Sequence, residues 1–337
     1  MRPIEIAGLP NAKIIIAMLD VWKSCQSSGA SSHWKKLGPQ SEIRIEKEAI
    51  VDLRGAGFGD CQKMGTGISR LSHFATILSY LAILPNRLNI VPWMVHARKI
   101  LSSLHDLDMF FSYDVFRQCC IASILEQYIA QWRNPKILLI GDGYGILSGL
   151  LKIRFSESQL FLVDIFPALL FQAVVLARSV PEVRQELTYS GGSKRNTTVD
   201  HTISTEITFC HAKDLSLLNG NTFDLAINVA SMQEMTPDAV ESYFTFIRSH
   251  LSTEGLFYCC NREEKVLPGS EILRFDGYPW HTMDKHLLDE EPPFYRWFFS
   301  PRPTARHLKV ATIPLPFGRL FDGPMRHRLT RLSRKLG

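Results

Sequence analysis

The chain has 337 residues, 45% hydrophobic and 21% charged, a composition that excludes a wholly disordered, collagenous or coiled-coil protein. Lys and Arg exceed Asp and Glu by five, and five cations (Arg326, Arg328, Arg331, Arg334 and Lys335) sit together in the acid-free stretch 326–337. The rest of the chain is therefore neutral, which argues against a nucleic-acid-binding body. The seven cysteines show no CxxC spacing, so neither a disulfide framework nor a structural zinc site is expected. The apolar run 14–19 lacks a following cleavage signal and no stretch is long enough for a spanning helix, so a cytoplasmic protein is expected.

Residues 1–110 carry no metal or nucleotide motif. Gly55, Gly57, Gly59, Gly65 and Gly67 mark a loop region, and the nearly all-apolar stretch 71–84 predicts a buried helix stopped by Pro85. The region reads as a mainly helical lid or as a dimerisation segment, and only the second reading implies a homo-oligomer. From residue 111 the pattern changes. Val115, Phe116, Cys119, Ile121, Ile124, Leu125 and Tyr128 follow helical spacing, and Asn134-Pro135 breaks the chain.

Strands are then predicted at 136–140 and 159–164, and helices at 146–155 and 168–180, the second bounded by Pro167 and Pro181. Residues 190–205 are polar and read as a surface insertion. Further strands are predicted at 206–210, 223–229 and 255–261, with a helix from the Thr236 cap to Gly255. Residues 294–299 and 307–314 can supply more strands. Consecutive rather than alternating apolar residues suit strands buried on both faces, so the fold class expected is α/β with a doubly wound, Rossmann-like sheet over 111–316. Met325, Leu329, Leu332 and Leu336 recur at helical spacing, so 317–337 reads as a basic C-terminal tail. It is either a solvated end or a weak membrane-surface contact.

The glycine turn is the sharpest chemical feature. Ile140 ends a strand, Gly141, Asp142, Gly143, Tyr144 and Gly145 follow, and a helix begins. Glycines let backbone approach a ligand, and the helix start offers free N–H groups. A second strand ends at Asp164, where an acid can accept both hydroxyls of a ribose. The dinucleotide pattern needs a small residue at position 146, which is Ile146, so a nicotinamide dehydrogenase ranks last. The spacing Gly141, Gly143, Gly145 suits S-adenosyl-L-methionine.

The segments KILLIGDGYGILSGLL, FLVDIFPALLFQAVVL, FDLAINVASMQEMTPDAVESYF and LFYCCNRE occur in order. Through them, residues 116–261 resemble a class I S-adenosylmethionine-dependent methyltransferase domain, most closely the sugar O-methyltransferase family. The sugar likeness rests on Ser231–Met235, Asn261-Arg262 and Tyr278-Pro279-Trp280. The resemblance implies that Gly141, Gly143 and Gly145 face the methionine end of the cofactor. It also implies that Asp164 holds the ribose, that Ile165, His211 and Ala212 lie near the adenine, and that Asn228 opens onto the cofactor. Leu139 stands where the family has an acid, and Asp142 is expected to reach the ammonium through water instead. His211 replaces a second acid of the family.

Methyl transfer to a hydroxyl needs a general base. Glu234 and His281 are the catalytic candidates. Tyr278, Trp280 and the aromatic stretch 294–299 can stack on an acceptor or form core. Asp284, Asp289, Glu290 and Glu291 show no diagnostic ligand spacing, so no metal is expected. The function expected is methyl transfer to a sugar hydroxyl of a small-molecule or glycan acceptor. The alternatives are a non-sugar acceptor or a non-catalytic, methyltransferase-like interaction protein.

Overall fold

The apolar runs of the sequence become the strands of one large sheet. The structure, a computed structural model, describes residues 4–24, 42–46, 49–54, 61–62, short stretches between 73 and 84, 88–190, 206–294, 297–299, 307–310, 313–320 and 324–334. The glycine cluster around 55–67, most of the helix expected at 71–84, and residues 191–205 of the polar insertion lie outside the described residues.

The N-terminal region holds β1 (Ile4–Glu5), α1 (Ala12–Ser24), β2 (Glu42–Glu46) and β3 (Ala49–Arg54), with the strands in the antiparallel order β1-β3-β2. This small sheet departs from the mainly helical expectation. Ile43, Ile45, Ile50 and Leu53 pack against the core, whereas the stretch was too polar to stand out in the sequence. Next come α2 (Val91–Ser103) and α3 (Tyr113–Ile129). The Ser112 hydroxyl caps α3 by accepting from Val115 N at 3.3 Å.

The winding of the main sheet follows. It comprises β4 (Lys136–Ile140), α4 (Ile146–Arg154), β5 (Gln159–Asp164), α5 (Ala168–Ser179), β6 (Gln185–Thr188), β7 (Ile207–His211), β8 (Phe223–Val229), α6 (Pro237–His250) and β9 (Leu251–Arg262). A hairpin, β10 (Glu264–Val266) with β11 (Ile272–Arg274), leads to β12 (Lys285–Glu290). A separate three-stranded sheet contains β13 (Trp297–Phe299), β14 (His307–Val310) and β15 (Ile313–Leu320), and β16 (Met325–Arg331) returns to the main sheet.

The eight strands run in the order β12-β16-β9-β8-β4-β5-β7-β6. All neighbours from β9 to β6 are parallel, and β16 is antiparallel to both β9 and β12. From β4 the chain winds outward through β5 to β7, then returns to β8 on the other side of β4. That reversal opens a crevice at the carboxyl ends of β4 and β8, the place where doubly wound sheets bind ligands.

Successive side chains along each strand point to opposite faces. Ile137, Leu139, Leu160, Leu162, Tyr258 and Cys260 share a core with α1 to α5. Leu138, Ile140, Phe161, Val163 and Phe257 share another with α6. The N-terminal helices are thus part of the same core as the sheet, not a detached unit. The expected helix end at Gly255 is corrected: α6 ends at His250, and Gly255 lies inside β9. Its absent Cβ would sit 2.9 Å from Ser252 N, so this glycine serves close backbone approach.

The basic tail is also corrected. Residues 325–331 form an interior strand next to the sheet edge, with Leu329 opposite Tyr258 on one side and Leu288 on the other. Met325 and the consecutive residues His327, Arg328, Leu329 and Thr330 are buried, so the strand is covered on both faces rather than along one helical stripe. The intervening arginines are neutralised within the fold. Arg326 binds Asp289 at two points, 2.6 and 2.9 Å, and Arg328 reaches Asp289 at 2.8 Å while lying over the rings of Trp280 and Phe275. Among the described residues no helix is long and apolar enough to cross a membrane.

Candidate cofactor-binding site

The glycine turn sits at the carboxyl end of β4. Gly141, Gly143 and Gly145 have φ of +73°, +57° and +77°, conformations that side-chain-bearing residues rarely adopt. Packing adds a second requirement at two of them. A Cβ on Gly141 would overlap the Ser231 hydroxyl, and one on Gly145 would lie 3.1 Å from Gln172 Cα. The turn is thereby clamped between the loop after β8 and the first half of α5.

Asp142 lies under the start of α4, where its Oδ2 accepts from Ser148 N at 3.0 Å. Burial pushes its pKa up to about 6, and the Ser148 contacts oppose the rise. One of its oxygens is therefore committed to the helix N-terminus rather than standing free for a ligand.

Asp164 ends β5 and is half-buried. Its Oδ1 accepts from Ile165 N at 2.8 Å and its Oδ2 from Gln172 Nε2 at 2.8 Å. Burial pushes its pKa up to about 7. The Ile165, Gln172 and Gly143 hydrogen bonds oppose that rise, and nearby Asp142 adds to it. A carboxylate accepts about four hydrogen bonds, so acceptor capacity remains for a vicinal diol.

A flat shelf adjoins Asp164, since β7 places His211 beside it in register. The His211 ring stacks on Phe166 at 4.9 Å with 20° between planes, and its Nδ1 accepts from Lys213 N at 3.2 Å. Burial, then Lys213, lowers the His211 pKa, so the ring is neutral at neutral pH. Half-buried Ile165 and Ala212 flank the pair. The structure therefore brings together the glycine turn, Asp164, Ile165, His211 and Ala212.

Two sequence-predicted residues are placed differently. Asn228 is fully buried and used inside the protein. It donates to Ile140 O at 2.9 Å and accepts from Met232 N at 3.2 Å and from Asn261 Nδ2 at 2.8 Å. This side chain fixes the loop after β8 instead of opening onto a ligand. Asn261 Oδ1 in turn accepts from Gln233 N at 3.1 Å, and Gln233 Oε1 from Arg262 N at 2.8 Å.

His281 is corrected more strongly. It precedes β12, whose first residue, Lys285, pairs with Arg331. It therefore lies at the amino edge of the parallel strands, across the sheet from the glycine turn. Tyr278 and Trp280 are packed with Phe244, Phe257 and Phe275, so they are core rather than an acceptor platform. Glu234 remains at the carboxyl edge, half-buried in the helical turn Met232–Glu234 after β8.

No protein-family model and no curated protein matches the chain. Solved structures with partial likeness include a precorrin 8w decarboxylase from Methanobacterium thermoautotrophicum, 12% identical, covering 63% of this chain and 89% of that one, with a TM-score of 0.35. A TehB-like SAM-dependent methyltransferase from Corynebacterium glutamicum is 13% identical over 63% of this chain and 86% of its own, TM-score 0.35. A precorrin-6y C5,15-methyltransferase from Geobacter metallireducens is 12% identical over 63% and 87%, TM-score 0.33. At such scores the fold reading stands on the chain's own strand order.

The roles of several residues at this edge escaped the sequence reading. Gln172 is the foremost, tying Asp164 to Gly143 O by hydrogen bonds of 2.8 and 3.3 Å. The available signal was a lone amide in the otherwise apolar helix ALLFQAVVLA. Ser231 and Asn261 stood out in the sequence only through the family resemblance; their roles here, against Gly141 and as the anchor of Asn228 and Gln233, depend on which strands become neighbours.

Proposed function

We propose that the protein is an S-adenosylmethionine-dependent methyltransferase that acts on a hydroxyl, with a sugar as the acceptor class. One observation carries the choice of cofactor. The helix N-terminus that would hold a dinucleotide's pyrophosphate already holds the Asp142 carboxylate. A second anion is disfavoured there, whereas a ligand bearing an ammonium and a sulfonium is favoured. Ile146, buried directly after the turn, likewise disfavours the dinucleotide alternative.

The residues present fit the group. Asp164 would accept the ribose diol, the shelf of Ile165, Phe166 and His211 would lie along the adenine, and the glycine turn would border the amino-acid end. When bound, the cofactor supplies an electrophilic methyl group. The chain's own part is to hold the acceptor in line, exclude water, and take the hydroxyl proton. Glu234 is the candidate for the last role. Neutral His211 contributes stacking rather than base catalysis.

The sugar assignment rests on the resemblance at Ser231–Met235 and Asn261-Arg262. The third signature, Tyr278-Pro279-Trp280, no longer supports it, because those rings are in the core. Calorimetry with S-adenosylhomocysteine tests the cofactor. Mass analysis of products from sugar, phenol, carboxylate and amine acceptors tests the acceptor. A folded protein that does not bind S-adenosylhomocysteine ends the enzyme reading, and transfer only to a non-sugar acceptor ends the sugar reading.

A further inference from the structure

Gln172 is fully buried on α5, yet among the described residues its Oε1 accepts no hydrogen bond. An unfilled buried acceptor is destabilising, and an apolar side chain of similar size would fill the same space without that cost. Packing alone therefore does not account for a glutamine here. Its Nε2, by contrast, is fully used, donating to Asp164 Oδ2 at 2.8 Å and to Gly143 O at 3.3 Å. Its backbone lies against Gly145, where a Cβ would be 3.1 Å from Gln172 Cα. One residue thus touches the acid and two of the three turn glycines.

We infer that Gln172 is a positioning residue of the cofactor site, holding Asp164 in its ionised, diol-accepting orientation and locking that carboxylate to the glycine turn. The inference rests on the methyltransferase reading above. Its physical basis is that a donor on Oδ2 stabilises the charged carboxylate and directs its remaining lone pairs toward the crevice. The groups acting on Asp164 come from every neighbouring element. Asp142 in the turn after β4 opposes ionisation, Tyr243 on α6 interacts with it as a neutral phenol, and neutral His211 adjoins it from β7. Gln172, with the Ile165 and Gly143 N–H groups, works in the other direction.

The test uses the full chain with Gln172→Met, which keeps the volume and removes the donor, and Gln172→Glu, which keeps the shape but sets a second acid against Asp164. S-adenosylhomocysteine affinity is measured by calorimetry between pH 6 and 8.5, and the Asp164 carboxyl is titrated by carbon NMR in the unliganded protein. Loss of one hydrogen bond to the charged form should weaken binding about tenfold and move the Asp164 midpoint about one pH unit higher in the Met variant. The Glu variant should show larger changes in both. Unchanged affinity and an unchanged midpoint in either folded variant would overturn the inference. If the unsubstituted protein binds no S-adenosylhomocysteine, the functional reading fails, while the titration still decides whether Gln172 controls Asp164.

Discussion

Arg248 and Asp284 meet in a two-point ion pair, Nη1 to Oδ1 at 2.6 Å and Nη2 to Oδ2 at 3.1 Å, at the amino edge of the sheet. Arg248 also donates to Pro279 O at 3.0 Å, and Asp284 accepts from His281 N at 2.8 Å and Ser333 N at 2.8 Å. The cluster pins the segment before β12 to the end of α6. Burial alone would raise the Asp284 pKa, but Arg248 and the two backbone N–H groups outweigh it and hold the acid below its ordinary value.

Arg248→Met leaves that buried carboxylate unpaired and should destabilise the fold by about 3 kcal/mol, read from urea unfolding. Because the folded pKa is depressed, the pair's contribution is fully present above the ordinary carboxylate value and is lost as pH falls below that value through the lower folded pKa. His281→Ala should change neither stability beyond about 0.5 kcal/mol nor methyl transfer. A large fall in turnover would return His281 to the list of catalytic residues.

Asp164 has the opposite sign. Its folded pKa, about 7, lies above the ordinary 3.8, so the ionised acid works against the unliganded fold. That penalty is full above pH 7 and is relieved as pH falls toward 4. Asp164→Asn should therefore stabilise the unliganded protein at pH 8, by on the order of 2 kcal/mol, with the gain shrinking on acidification. The same variant should lose most of its S-adenosylhomocysteine affinity. Thermal melts across pH, paired with calorimetry, check both halves; an Asn variant that is less stable at pH 8 contradicts the first.

Asn261→Leu removes the donor to Asn228 Oδ1 and the acceptor for Gln233 N. Two buried polar groups lose a partner, and the loop carrying Ser231 and Glu234 loses its anchor. A destabilisation of about 2 kcal/mol is expected, with a further fall in turnover at saturating cofactor. Wild-type turnover in the folded variant would show that the network does not set the loop.

Glu234→Gln keeps size and hydrogen-bonding capacity while removing the base. Turnover should fall about 100-fold with cofactor affinity unchanged, measured by steady-state kinetics alongside calorimetry. Retained turnover removes Glu234 as the proton acceptor.

Ending the chain after Leu320 removes β16, which hydrogen-bonds to both β9 and β12. The truncated protein should lose its cooperative thermal transition, because Asp289 is left without Arg326 and Arg328 and two neighbouring strands lose their partner. A solvated tail would come off without effect, so circular dichroism melts separate the two cases.

Local sequence alone determined β4, β5, β7, β8, the helices between them, the Thr236 cap and the glycine turn. Each is set by an apolar period, a capping side chain or a glycine conformation acting over a few residues. Ile137, Leu138, Leu139 and Ile140 needed only to be apolar in succession to announce a strand covered on both faces. Tertiary structure decided everything that depends on which strands become neighbours. It made the arginine-rich end an interior strand of the sheet, because Asp289 and the Trp280 ring accept its charges. It turned Asn228 inward by supplying Ile140 O and Asn261 as partners. It carried His281 to the far edge and put Gln172 against Asp164. Those outcomes come from pairings between residues distant in the chain, and a period or a motif records only what lies nearby.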